Sequence, residues 1–374
     1  MQLAPAPLRL ARHAGLRRLL HEAGLDALLV TSLSNVAYLS GLFASAAAIV
    51  ITRDRFTIIT DGRYLGIAKG VVADMTGVDL LITPRLIPFD HALTETLCSI
   101  GHGRAGFEAT HFTVKRFHEL EARLARMAPG ISLEGTESLV ERLRVVKDAW
   151  ELDVFVEAGR RLSDAAKCII PKALAGMKER EVAAVIEAEL RRVGFDKPAF
   201  DTIVASGPNS AVPHYRAGER VLTAGDLVVL DFGGMFRGYA VDMTRTITVG
   251  PANVRQQRLL DDIAAAQDAG FAVALPGVPA SDIDRATRES MNAAGLGEFF
   301  GHGTGHGLGL DVHERPRIAQ VRAELPGEPL EPGMVFTIEP GAYFPDWGGA
   351  RIEDDAALTA SGAQWLTDVP RFWT

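Results

Sequence analysis

Three histidines, His302, His306 and His313, fall within a glycine-rich run, GHGTGHGLGLDVHE, at 301–314. Imidazole is both a common metal ligand and the usual proton shuttle near neutral pH. The intervening glycines let backbone pack closely around such rings. Upstream lies LVVLDFGGMFRGYAVDMTRT, with Asp231 and Asp242; downstream lie FTIEPG, with Glu339, and ARIEDD, with Glu353. Each of these carboxylates sits in or beside an apolar, strand-like run. A buried carboxylate must be paired, neutralised or bound to metal. Oxygen ligands with one imidazole suit divalent ions such as manganese, cobalt or zinc, and this set is large enough for two ions sharing bridging carboxylates. Alone, the histidine run would equally be a polar turn. It lacks the Lys-Ser/Thr ending and preceding strand of a phosphate-binding loop.

These residues need a frame. Residues 8–23 alternate Leu with Arg at helical spacing and predict an amphipathic first helix. Strands are expected at 27–31, 47–52, 56–60, 78–83, 105–108 and 131–133. Between them come a brief helix in LSNVAYLSGL, a helix over 64–71 capped by Asp61, and helices over 91–97 and 114–125. Pro84 and Pro88 break the chain before the third of these. Strands alternating with helices over 1–140 imply a small α/β domain. Residues 137–174 predict a long helical stretch, interrupted at most near Ala149. The remainder, 141–374, has an α+β pattern. Helices are expected at 178–193, 253–274 and 281–294, and strands at 202–205, 335–339 and 349–358. Strands 227–232 and 239–249 form a hairpin joined by a loop over 233–238.

Composition narrows the function. A length of 374 residues suggests two domains, and 47% hydrophobic with 23% charged residues is the balance of a soluble globular protein. The net charge of −8 argues against nucleic acid as the main partner. The longest apolar run, near 43–51, is too short to span a bilayer, and MQLAPAPLRLARHAG lacks the apolar core of a secretion signal. Cys98 and Cys168 fit a reducing compartment, so a cytoplasmic location is expected.

Together the motifs resemble the pita-bread metallopeptidases: Xaa-Pro dipeptidases (prolidases), aminopeptidases P, methionine aminopeptidases and the metal-free creatinases. The likeness covers essentially the whole chain, because SNVAYLSGL and ITDGRYL are similar to the creatinase-like domain that precedes the catalytic one. The resemblance implies that Asp231, Asp242, His306, Glu339 and Glu353 hold two divalent ions, with Asp242 and Glu353 bridging. Manganese is the first expectation, cobalt or zinc the alternatives. It further implies that His214, in SGPNSAVPHY, and His313, in DVHE, contact substrate or intermediate. Glu339 would carry a proton from water to the leaving nitrogen, and Arg351 would support the substrate side of the pocket. His302 matches a position near the metals and stays open between a structural and a catalytic role. Asp354 and Asp355 are expected to be a solvated or supporting pair, and His91, His102, His111 and His118 ordinary surface residues.

The implied reaction is hydrolysis of the bond between an N-terminal residue and proline. Proline's nitrogen carries no hydrogen and its ring fixes φ, so the substrate needs a dedicated pocket. A dipeptidase must also read the carboxylate directly after proline, a task suited to the arginine fork. Arg317, in HERPRI, and Arg63, in TDGRYL, are the candidates, each equally readable as a salt-bridge residue. The compact chain favours the dipeptidase. Aminopeptidase P acting on longer Xaa-Pro peptides is the alternative, and a catalytically silent binding module of the same fold is the alternative from another class. Expected partners are Xaa-Pro dipeptides or short proline-containing peptides and a second copy of the chain in a homodimer, with neither nucleic acid nor membrane.

Overall fold

The structure, a computed structural model, describes residues 3–84, 89–321 and 327–371; Pro88 lies outside them. The chain divides into two compact units, Met1–Arg144 and Val145–Thr374.

The first unit is built on six strands: β1 (Ala27–Val30), β2 (Ala47–Thr52), β3 (Phe56–Asp61), β4 (Val78–Thr83), β5 (Gly103–Glu108) and β6 (Ile131–Thr136). Their order is β4-β3-β2-β1-β5-β6. β1 and β2, and β2 and β3, pair antiparallel, whereas β3–β4, β1–β5 and β5–β6 are parallel. The central strand, ALLV, is buried at every position, as a strand covered on both faces must be. Helices Phe89–Cys98 and Val114–Met127 supply Leu93, Leu97, Leu120 and Leu124 to one core beside Leu29 and Phe107. The helix in LSNVAYLSGL stops where Gly41 turns left-handed, at φ 82°.

The first helix, Ala6–Glu22, departs from the amphipathic expectation. It buries Arg9, Arg12 and His13. Arg9 reaches through the core to the carbonyls of Ser40 and Val71 at 2.8 and 2.9 Å, and His13 stacks on Phe56 with ring centroids 3.6 Å apart. Paired arginine can occupy a core face when its donors find carbonyls.

The second unit carries β7 (Lys197–Pro198), β8 (Ile203–Ser206), β9 (Leu227–Phe236), β10 (Tyr239–Thr248), β11 (Gly305–Gly307), β12 (Glu314–Ile318), β13 (Val335–Ile338), β14 (Gly341–Phe344), β15 (Gly348–Arg351), β16 (Asp354–Thr359) and β17 (Gly362–Trp365). β10, β9 and β7 form one sheet with β8 also on β9; β12-β11-β13-β16-β17 form a second, and β14-β15 a hairpin. Helices Val254–Ala272 and Ala280–Ala293 contribute Ile263, Ile283 and Met291 to the packed core. The α+β class therefore holds here, and the α/β class in the first unit.

Three boundaries differ from expectation, each for a local reason. The stretch 137–174 is helical in two pieces, broken just before Ala149, where the sequence allowed an interruption, and its first piece is short. A short helix, Glu141–Arg144, is followed by a bend, and the long helix Ala149–Ile169 starts at a reciprocal cap between Asp148 and Glu151. The loop expected over 233–238 is mostly strand: β9 runs to Phe236, and only Arg237 and Gly238, both at positive φ, turn the chain. Gly233 is there because a Cβ would collide with the Val241 carbonyl oxygen and lie 2.9 Å from Phe200. The strand expected over 349–358 breaks into β15 and β16 at Ile352–Glu353, where Glu353 bridges to Thr244 of β10.

Candidate metal centre

The β9–β10 hairpin assembles the first acids. Its register sets Asp231 opposite Thr244 and Gly233 opposite Asp242. Asp231 and Asp242 are therefore diagonal neighbours on one face, within reach of each other. The Thr244 hydroxyl donates to Glu353 Oε2 at 2.6 Å, and the Glu353 N–H donates to the Thr244 carbonyl at 3.1 Å. Glu353 thus joins the same face from the second sheet. His306 arrives on β11, its N–H held by Thr337 Oγ1 of β13, and Glu339 follows β13 directly, its N–H on the Thr304 carbonyl.

Asp242, His306 and Glu353 each offer an oxygen or nitrogen within 4.8 Å of the other two. His306 Nε2 lies 3.9 Å from Asp242 Oδ2 and 3.7 Å from Glu339 Oε1. The other ring nitrogen, Nδ1, sits 3.1 Å from the Gly307 carbonyl oxygen. A carbonyl only accepts, so the proton is on Nδ1 and the Nε2 lone pair points at the acids. That is the tautomer a metal requires.

The electrostatics demand cations. Asp231, Asp242, Glu353 and Asp355 are buried, and the Arg351 guanidinium lies among them, its Nη2 on Asp231 Oδ2, Nη1 on the Tyr343 hydroxyl at 2.7 Å and Nε on Thr244 Oγ1 at 3.1 Å. Asp231 Oδ1 and Asp242 Oδ1 accept no hydrogen bond although both are buried. Burial, then the neighbouring Glu353 and Asp231, push the Asp242 carboxyl well above the usual range. Burial, then Glu339 and Asp231, do the same to Glu353, and burial holds Glu339 up at about 7. Acids crowded so, with oxygens left unpartnered, fit divalent cations in number, type and placement.

A cavity of about 780 Å³ opens over this cluster. His214, His313 and Arg317 line it. The His313 ring stands edge-on to His306, with centroids 4.3 Å apart, while the exposed His214 makes no hydrogen bond among the described residues. Arg317 is the register partner of His306 across β11–β12, so both side chains leave the same face. Arg63 belongs to the first unit, where it is exposed and held by Asp61 at 2.7 Å. His302 also lines the cavity, but both its nitrogens are engaged, Nδ1 with the Gly303 carbonyl at 2.8 Å and Nε2 with the Tyr343 hydroxyl at 3.1 Å. Burial, then Arg351, lower its pKa to about 4.

Asp354 and Asp355 are not solvated; both are buried. Asp355 Oδ2 accepts the N–H of Asp242 at 3.0 Å. Asp354 takes Arg245 Nη2 at 2.7 Å, and Arg245 also donates to the carbonyls of Glu353, Val369 and Pro370. Tyr343 and Thr244 went unnoticed in the sequence. Thr244 had a signal, since it shares the alternation of Asp242 on one strand; Tyr343 had none. The first-unit histidines His91, His102, His111 and His118 are exposed.

Residues 154–360 match Metallopeptidase family M24, and residues 12–146 match the Creatinase/Prolidase N-terminal domain. A Xaa-Pro dipeptidase of Pyrococcus furiosus is 40% identical over 235 residues, 63% of this chain and 66% of that protein. The solved Xaa-Pro dipeptidase from Bacillus anthracis superposes with a TM-score of 0.89 at 32% identity, covering 98% of this chain and 100% of the other. An X-Pro aminopeptidase from Thermotoga maritima follows at 0.85 and 32%, covering 96% and 98%. Acids that need divalent cations, on a fold matched along nearly its whole length, place this chain in the M24 metallopeptidase family, with a creatinase/prolidase N-terminal domain ahead of the catalytic one.

Proposed function

We propose that this chain is a dinuclear Xaa-Pro dipeptidase, releasing proline from dipeptides. In this reading Asp231, Asp242, His306, Glu339 and Glu353 are the ligands, Asp242 and Glu353 bridge, and manganese is the first choice of metal, with cobalt or zinc as alternatives. Residues 1–140 form the N-terminal domain and 141–374 the catalytic one, in a cytoplasmic homodimer.

Bound divalent ions would polarise the scissile carbonyl and make water acidic enough to react at neutral pH. The remaining work falls to side chains. Glu339, held up by burial and drawn down by bound cations, takes a proton from water at Oε1 and passes it to the leaving nitrogen. His313 and His214, on the cavity side of the cluster, donate to the oxygen that gains charge. Arg351 fixes Asp231 through one nitrogen and Tyr343 through another, and His302 extends that support through Tyr343. His302 is thereby a positioning residue.

The observation that carries the dipeptidase reading is Arg317. It lies across from His306, faces the cavity and has no ion-pair partner among the described residues. A carboxylate one residue beyond the metals would supply one. Replacing Arg317 with Ala should raise the KM for Xaa-Pro dipeptides by roughly 10- to 100-fold, the scale of a charged hydrogen bond, and leave Xaa-Pro-Xaa cleavage nearly unchanged. R63A, and the double variant, test whether the first unit's arginine shares the task. Wild-type protein that cleaves Xaa-Pro-Xaa as fast as Xaa-Pro would make aminopeptidase P the better assignment, an activity carried by the Thermotoga relative's name.

A further inference from the structure

His214 faces the cavity without a hydrogen bond of its own among the described residues. A side chain with no partner is placed by its backbone alone. That backbone is the loop 206–218, which leaves the end of β8 and contains the short turn Gly207–Ala211. What fixes the loop therefore fixes the histidine.

The loop is fastened to one side chain that neither the ligand set nor the substrate contacts include. Glu179, the first residue of helix Glu179–Arg192, is fully buried. Its Oε1 accepts the Ser206 N–H at 2.9 Å, the Ser206 hydroxyl at 2.7 Å and Asn209 Nδ2 at 3.0 Å. Its Oε2 accepts the Gly218 N–H at 3.2 Å. One carboxylate thus clamps the departure and the return of the loop. The free N–H groups at the start of the same helix add to the return: Glu179 N–H donates to the Arg220 carbonyl at 3.0 Å and Arg180 N–H to the Gly218 carbonyl at 3.1 Å. Asn209 Nδ2 carries the clamp onward to the Tyr215 hydroxyl at 2.8 Å, one residue past His214. On the opposite flank the Gly349 N–H donates to Ser210 Oγ at 2.8 Å, tying the loop to the strand that leads to Arg351 and Glu353.

A lone acid at a helix start is ordinarily explained by the helix dipole. Here the carboxylate points away from its own helix into a segment 27 to 39 residues later, and a fully buried charge needs this many donors to be tolerated. We infer that Glu179 is a positioning residue for His214, holding both ends of its loop so that an otherwise unpartnered imidazole stands at the cavity wall. The inference rests on the reading that His214 contacts substrate.

A double-mutant cycle tests it. Metal-loaded wild type, E179Q, H214A and the double variant are assayed on a Xaa-Pro dipeptide, with ions per chain measured on each. Gln keeps the length and one acceptor but turns an N–H₂ toward the Gly218 N–H, releasing the return of the loop. E179Q is expected to keep its full metal complement and to lose about 10-fold or more in kcat, the scale of a misplaced group. In the H214A background the same change should cost less than about 2-fold, because the group it positions is already gone. Losses that multiply independently would show that Glu179 acts on the fold at large and would overturn the proposal, as would wild-type turnover in E179Q. If E179Q does not fold, N209A, which removes one donor from the clamp and its link to Tyr215, enters the same cycle and is judged by the same two outcomes. Undiminished turnover in H214A removes His214 from the reaction and the positioning role with it; that failure is distinct, because it is visible before Glu179 is altered.

Discussion

At the scale of single residues, the centre is a competition between protons and divalent ions for the same oxygens. Asp242→Ala or Glu353→Ala should abolish both metal uptake and hydrolysis; two ions per chain by elemental analysis in either variant would refute their bridging role. The acids also predict a pH dependence. The Glu339 carboxyl rises from 4.5 to about 7 on folding, mainly by burial, and the Asp242 and Glu353 carboxyls are also held well above their ordinary values, chiefly by burial. A carboxyl raised on folding binds protons more tightly folded than unfolded. Its cost to stability is absent below the unfolded value and complete above the folded one. Buried His13 and half-buried His302 and His306, lowered from 6.5 to about 4 chiefly by desolvation, work the other way, but only below about 6.5. Lowering the pH from 8 to 6.5 should therefore raise the melting temperature of the chelated protein. The metal-loaded protein should show no such gain, since its acids are already compensated. A melting temperature of the chelated form that falls over that window would contradict the burial argument.

At the scale of elements, close approach of backbones sets the spacing of the ligands. Gly233 stands opposite Asp242, and a methyl there would press on the Val241 carbonyl and Phe200. Gly233→Ala is expected to cost about 1–3 kcal/mol of stability through overpacking and to lower metal occupancy; an unchanged urea midpoint would show that the hairpin relaxes freely. This position also shows what the sequence concealed. A Gly-Gly pair between apolar runs has the composition of a loop, whereas here it is strand flattened against neighbours that no local pattern reveals. The acids of the cluster were legible for the opposite reason: carboxylates in or beside apolar runs are costly unless cations compensate them, and their flanking motifs resemble a known family. β11 was hidden because three residues cannot display a period of two. For Asp355 the sequence leaves a solvated and a supporting role open, and the structure gives the supporting one: it accepts the backbone N–H of Asp242, 113 residues earlier. Glu179 looks like an ordinary helix-start acid until the loop it clamps is in place.

At the scale of the whole molecule, the two units have separate cores, and the acids all belong to one of them. Chelation should therefore loosen the second unit selectively. Hydrogen exchange is expected to rise across β9, β10, β13 and β16 when the metal is removed, and to stay unchanged in β1, β2 and β5, whose apolar packing owes nothing to ions. Equal acceleration in both would mean that the units unfold together. Arg245 gives this metal-bearing half a further property. One guanidinium grips the Glu353 carbonyl with one nitrogen and the carbonyls of Val369 and Pro370 with others. The tail of the chain is in this sense a tether to the floor of the reaction chamber. Trimming the chain back to Asp368, or pulling on its end with a fused domain, should weaken metal retention from outside the cavity, while the same cargo attached ahead of the first helix should leave it alone.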